Sequence, residues 1–252
     1  VVYKKKVEEK HNVCPECDYH FRVSTNERID ITLDKDSFKE YWNDMMPADP
    51  LKFMDRIKYK DRIISEQEKT KLNEAATVGK GFIDGKEVVF GITDSSFIMG
   101  SMGSVVGEKI ARAAEMALEL RLPLIIVSGS GGGARMHEGA FSLMQMAKTC
   151  AAIARLQDAG LLFISVLTDP TLGGVMASFA SQGDIIIAEP GALVGFAGPR
   201  VIKETIRKTL PKGFQSAESM LKHGFIDIIA ARDRLKPEIS KILDYCNGNS
   251  NG

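Results

Sequence analysis

Two stretches of the chain concentrate glycine directly behind apolar runs. The first, SGSGGGARMHEG, spans residues 128 to 139 and carries five glycines after Leu124-Ile125-Ile126-Val127. The second, Thr168-Asp169-Pro170-Thr171-Leu172-Gly173-Gly174, follows the run Leu161 to Leu167. Glycine is costly in ordered backbone, so such clusters imply that something approaches the main chain too closely for a side chain. Each stretch precedes a helical pattern. A glycine-rich turn at a helix N-terminus presents backbone N–H groups in the positive field of the helix dipole. That arrangement suits an oxygen that becomes negative during a reaction, and it needs no side-chain nucleophile.

Other readings of the glycines fit less well. Gly129-Ser130-Gly131-Gly132-Gly133-Ala134 matches G-x-G-x-x-A, but the acidic residue a dinucleotide site needs about 20 positions on is missing. No Gly-Lys-Ser/Thr follows, which excludes a Walker A loop. Ser128 stands where a G-x-S-x-G elbow needs glycine. Tight strand-to-helix packing would explain one such loop. Two, each between a buried strand and a helix, favour function. Nucleophilic machinery is scarce: the four histidines, His11, His20, His137 and His223, have no Ser or Asp partner at a recognised spacing. Glu138 reads as a charge complementing a helix dipole, with general-base work the alternative. Asp169 reads as a turn residue before Pro170.

Cys14-Pro15-Glu16-Cys17 is one half of a zinc knuckle, because a tetrahedral structural site needs four ligands. His11 and His20 bracket the pair, but four ligands within ten residues would be unusually tight. Cys150 and Cys246 fall in helical patterns.

The elements that must hold these residues alternate. Residues 1 to 23 are polar, and 24 to 75 read as mainly helical, with starts at Ser24-Thr25-Asn26-Glu27 and at Asp36 to Glu40. Lys80 to Thr93 reads as a hairpin about Asp84-Gly85. Ser104 to Leu120 has a helical apolar stripe. The strand Leu124–Val127 should lead to a helix from about Ala134 to Asp158, closed at Gly160. The strand Leu161–Leu167 should lead to a shorter helix, Val175 to Gln182. Two short apolar strands follow, in DIIIAEP and ALVGFAGP, then helices over Arg200–Lys208, Ser216–His223 and Lys236–Cys246. Strands alternating with helices predict an α/β fold.

The chain has 252 residues, 44% hydrophobic, enough for one large domain with a small appendage. Lys+Arg and Asp+Glu both number 33, so the net charge is zero and nucleic acid or an anionic membrane is not the main partner expected. No apolar run approaches the ~20 residues of a membrane span. Four scattered cysteines fit a reducing, cytoplasmic setting. The chain opens on Val1, as a piece of a longer one would.

Four long stretches carry a resemblance. They are FIMGSMGSVVGEKI, GGARMHEGAFSLMQMAKT, ISVLTDPTLGGVMASFASQGDIIIAEPGALVGFAGPRVI and LPKGFQSAESMLKHGFID. In this order they closely resemble the β subunits of bacterial and plastid acetyl-CoA carboxylase carboxyltransferase, from about Val2 to Asp227. The resemblance implies a crotonase-like fold of repeated ββα units over residues 24–252. It also implies a zinc ribbon, of which residues 1–23 would be a remnant: Cys14 and Cys17 would bind zinc with a first cysteine pair lost from upstream. The implied reaction is carboxyl transfer from carboxybiotin to acetyl-CoA, giving malonyl-CoA for fatty acid synthesis. Gly132, Gly133, Gly173 and Gly174 would then supply the N–H groups that stabilise the acyl enolate. Ala134, Arg135, Lys109 and Arg200 are candidates for contact with coenzyme A, although the three cations could equally form structural ion pairs.

The first loop departs from the commoner Ser-x-Ser-Gly-Gly-Ala-Arg-Met by an extra glycine, which leaves its donors open. Implied partners are a carboxyltransferase α subunit in an α2β2 heterotetramer, the biotin carboxyl carrier protein and biotin carboxylase. Rival readings are a propionyl-CoA carboxyltransferase, a crotonase-type hydratase with Glu138 as its one candidate carboxylate, and a zinc-ribbon protein whose YKKK segment touches nucleic acid.

Overall fold

Alternate residues of Leu124-Ile125-Ile126-Val127 face opposite sides of one strand, and all four are buried. Such a strand needs cover on both faces. The computed structural model that shows this describes residues 2–208 and 210–247; the final residues of the expected 24–252 domain lie outside the described residues.

The elements run α1 (Lys4–Glu9), α2 (Thr25–Thr32), β1 (Lys39–Tyr41), α3 (Tyr59–Thr70), β2 (Ala76–Ile83), β3 (Lys86–Thr93) and α4 (Ser104–Leu120). Then come β4 (Leu124–Ser130), α5 (Ala140–Asp158), β5 (Phe163–Leu172), α6 (Gly173–Met176), β6 (Ile185–Ala188) and β7 (Val194–Gly195). α7 (Pro199–Ile206), α8 (Ala217–Lys222), β8 (Ile228–Ile229) and α9 (Arg232–Asn247) complete the series. One sheet has the order β1-β2-β3-β4-β5-β6-β8, with β7 paired to the end of β5. β1, β2 and β3 are antiparallel; every later pairing is parallel. Leu124, Ile126 and Phe163 pack under α4 and α5 with Ile110, Ala114 and Ile153. Ile125, Val127 and Ile164 pack on the opposite face with Leu235, Ile239 and Leu243 of α9.

The sequence reading holds for the α/β class, for α4 at both ends and for the hairpin turn. Asp84 and Gly85 have φ of 46° and 77°, and both donate their N–H to the Asp34 carboxylate. Three expectations are corrected. Asp36 to Glu40 leads into edge strand β1 rather than a helix, because Lys39, Glu40 and Tyr41 pair with Lys80, Gly79 and Val78. The long helix begins at Ala140, not Ala134, because a 3₁₀ turn at Met136–Glu138 and Gly139 at φ 52° come first. β5 continues through Asp169-Pro170 to Leu172, and the expected helix after it breaks into α6 and a 3₁₀ turn at Phe179–Ser181.

A buried charge cluster ties the N-terminal segment to the sheet. Glu189, just past β6, accepts from Arg232 Nε at 2.9 Å and pairs with Arg28 at 2.7 Å. Burial alone would raise the Glu189 carboxyl; the guanidinium groups of Arg28 and Arg232 overturn that and hold it at about 2. Arg232 also donates to the carbonyls of His11 and Asn12.

Candidate active site

The first glycine loop leaves β4 and is pinned against the segment that precedes α4. Gly131 and Gly132 donate their N–H to the Met99 carbonyl at 2.9 and 3.0 Å. Met102 donates to Gly133 O, and Arg135 donates back to Met102 O, at 2.7 and 3.0 Å. The second loop is pinned by Gly173, whose N–H donates to Phe196 O at 2.8 Å. The two loops then meet. A Cβ on Gly173 would lie 2.8 Å from Gly133 Cα, and one on Gly174 would lie 3.1 Å from the Ala134 nitrogen. Gly133 and Gly173 also hold φ of 58° and 62°, which favour glycine.

The glycine N–H groups fall into two sets. Among the described residues, the amides of Gly133 and Ala134 in the first loop donate to no protein acceptor, nor do those of Gly174 and Val175 in the second. Gly132 and Gly173, both expected as donors, have their N–H groups taken. The free donors sit one residue further on in each loop, at Ala134 and Val175. The Ala134 and Gly174 amides lie where the loops touch, and the Gly174 and Val175 amides stand in the first turn of α6.

A cleft of about 590 Å³ opens beside the first loop. Gly132, Ala134, Met99, His137, Asp55 and Arg62 are among its lining residues. The His137 ring stacks on Tyr59 at 5.0 Å, and its Nε2 lies 4.0 Å from Asp55. Burial, then the Arg62 charge, pushes the imidazole pKa down, so the ring is neutral at neutral pH.

Behind the loop lies a buried polar network. Arg135 uses all five donors: two on the Glu74 carboxylate, two on the hydroxyl and carbonyl of Ser101, one on the Tyr59 hydroxyl. Tyr59 in turn donates to Glu138 at 2.7 Å, and Glu138 accepts the Ser104 N–H at the start of α4, also at 2.7 Å. Glu138 therefore caps α4 and does not line the cleft, unlike a general base over an acyl chain.

Of the expected cations, Arg135 has no N–H left for a phosphate. Lys109 is buried and donates to the Ala76 carbonyl at 2.9 Å. Burial lowers its pKa, and the nearby Glu40 and Glu74 oppose that. Arg200 is exposed on α7 and pairs with Glu204 one turn on. Cys14 is buried and Cys17 exposed. The N–H of Glu16 pulls the Cys14 thiol pKa down, burial opposes this, and Cys17 adds to the lowering. His20 is engaged elsewhere: Nδ1 donates to Asp18 O and Nε2 accepts the Arg232 N–H. Among the described residues no three His, Cys, Asp or Glu side chains converge on a metal position.

The carboxyl transferase domain model matches residues 22–251. The chain belongs to the carboxyl transferase family. Curated relatives narrow this to the acetyl-coenzyme A carboxylase carboxyl transferase β subunits. The Rhodopirellula baltica subunit beta is 56% identical, covering 97% of this chain and 78% of that protein. The Desulforamulus reducens subunit beta is 57% identical, covering 99% and 85%. A Clostridium tetani protein named for subunits beta/alpha is 54% identical, covering 96% of this chain and 42% of its own length. The structure of transcarboxylase 12S with methylmalonyl-coenzyme A and methylmalonic acid bound superimposes with a TM-score of 0.73 at 26% identity. It covers 96% of this chain, which spans 43% of that longer one. The sheet and its paired loops are thus those of a carboxyl transferase domain of the crotonase-like type.

Within this carboxyl transferase the sequence reading missed Tyr59 and Glu74. Both come from the 24–75 segment, 76 and 61 residues from Arg135, where no local spacing signals the contact.

Proposed function

We propose that the chain is the β subunit of an acetyl-CoA carboxylase carboxyltransferase, and that Gly133, Ala134, Gly174 and Val175 form its oxyanion hole. The observation that carries this is that unpartnered amides stand on both of two glycine loops that touch each other. The identities of the β-subunit relatives support acetyl-CoA as the acyl substrate.

In the reaction the carboxyl carbon leaves the biotin nitrogen and bonds to the acetyl methyl carbon. The methyl proton ends on the biotin nitrogen, and malonyl-CoA and free biotin are released. Loss of that proton drives charge onto the thioester oxygen. Amide donors fixed before the reaction stabilise that charge without reorganising. The protein's remaining task is to align two substrates, and no basic side chain is required. Burial of Glu138 removes the one carboxylate a hydratase reading relied on.

The second developing charge, on the biotin ureido oxygen, needs donors of its own. We assign them to an α subunit facing this cleft. Phe141, Leu143 and Met144 on α5 and Phe196, Val201 and Ile206 around α7 are exposed apolar side chains, and α7 has no buried residue. That much apolar surface fits an obligate partner. The beta/alpha relative supports an α chain as that partner. A two-fold α2β2 assembly in the cytoplasm, supplied by a biotin carrier protein, follows from this reading. Cys14 and Cys17 would hold one side of a zinc ion in a ribbon formed with two further thiolates.

The test is carboxyl transfer from a carboxylated biotin carrier to acetyl-CoA or propionyl-CoA, with a carboxyltransferase α subunit added, and hydration of crotonyl-CoA assayed alongside. Malonyl-CoA formation from acetyl-CoA supports the reading. Hydration of crotonyl-CoA, or a preference for propionyl-CoA, contradicts it.

A further inference from the structure

The free amides of Gly133 and Ala134 sit on the backbone between two fixed points. On one side Met102 N–H holds the Gly133 carbonyl. On the other, Arg135 is locked by five side-chain hydrogen bonds, none to its own loop. Its partners come from three places: Glu74 at the entry to β2, Ser101 before α4 and Tyr59 on α3. Arg135 and Glu74 have no exposed side-chain surface. An ion pair that deep is costly to desolvate and is often replaceable by apolar side chains without loss of stability. What a guanidinium fork provides and an apolar side chain cannot is a fixed direction. Gly103 also belongs to this arrangement, because a Cβ there would strike the Glu138 carboxylate and lie 3.0 Å from Arg135 Nη1.

We propose that Tyr59 and the Arg135–Glu74 pair are positioning residues that aim the Gly133 and Ala134 amides at the acyl oxygen. Tyr59 is the keystone: its hydroxyl accepts from Arg135 Nη1 at 3.1 Å and donates to Glu138 at 2.7 Å. It joins the side that holds Arg135 to the side that caps α4. None of these groups reaches the substrate; they act through the loop. The inference rests on the oxyanion-hole reading above.

The test uses the enzyme assembled with its α subunit and the variants Tyr59→Phe, Arg135→Lys and Glu74→Gln. Two readouts are taken. One is the split between kcat and KM for acetyl-CoA. The other is the isotope-edited infrared band of the thioester carbonyl in bound acetyl-CoA, which moves to lower frequency when aimed amides polarise it. Small misplacement of aligned groups costs up to about 10²-fold in rate. Tyr59→Phe should lower kcat about tenfold and Arg135→Lys about 10²-fold, with KM within about twofold. In each variant the carbonyl band should move back toward that of the free thioester. Tyr59→Phe retains the ring and its stack on His137, so it isolates the hydroxyl. An unchanged band and unchanged kcat in Tyr59→Phe overturn the inference. So does a fall in kcat matched by a loss of folded protein with the band unmoved. If the wild-type band itself does not shift on binding, the oxyanion-hole reading falls, and this inference with it.

Discussion

A Cβ at Gly174 would meet the Ala134 amide nitrogen at 3.1 Å and the Met146 sulfur at 3.3 Å. The side chain would stand between the two sets of free donors. Gly174→Val should therefore leave the sheet intact and lower kcat by ~10²-fold or more, the cost of a disabled oxyanion donor. Circular dichroism and turnover on the same sample check this; near-normal turnover in a folded variant removes the second loop from the chemistry. Gly133→Ala adds strain as well, since its φ is 58°. The glycine loops were legible in the sequence as sites of close approach. Which amides stay free was not, because the acceptors that silence Gly132 and Gly173 are the carbonyls of Met99 and Phe196, on segments that only the fold brings near. The same holds for Arg135. Its motif was visible, but its partners Glu74 and Tyr59 lie 61 and 76 residues away along the chain.

At the scale of elements, α2, β6 and α9 meet at one buried carboxylate. Glu189 is held at about 2 against an ordinary value of 4.5. A group whose pKa is lowered by folding adds stability that is complete above its unfolded value. That stability is lost as pH falls toward the folded value. Acid titration of unfolding should lose on the order of 3 kcal/mol from this residue between about pH 4.5 and 2. Glu189→Gln should remove that acid dependence and lower Tm by roughly 10 °C, because two buried guanidinium groups are left facing a neutral amide. A variant as stable as the wild type would show that the cluster does not join these elements. The Cys14–Cys17 turn is a second element-scale case. With two ligands from this turn and His20 engaged on both nitrogens, the 252-residue chain should carry well under one zinc per molecule after gel filtration. Stoichiometric zinc by elemental analysis would contradict this. Elements with strong periodicity, such as α4, were legible from sequence to the residue. β1 was not, since a three-residue edge strand owes its form to pairing with β2 rather than to its own residues.

Across the molecule, α5 and α7 carry exposed apolar side chains, and α7 has no buried residue. Carboxyl transfer develops negative charge on two oxygens, and the proposed oxyanion hole provides for one. The chain alone should therefore make no measurable malonyl-CoA and should self-associate through Phe141, Met144, Phe196 and Val201, all exposed. Charged substitution at Met144 or Val201 should weaken assembly with the α subunit while leaving the fold intact, measured by analytical ultracentrifugation. The most direct measurement is single-turnover transfer of labelled carboxyl from the carboxylated biotin carrier to acetyl-CoA. It is made with this chain alone, and then with the α subunit added in a one-to-one titration. The predicted result is no label in malonyl-CoA from the chain alone, rising to a plateau at equivalence. Robust transfer by the chain alone, or none at equivalence, would contradict it.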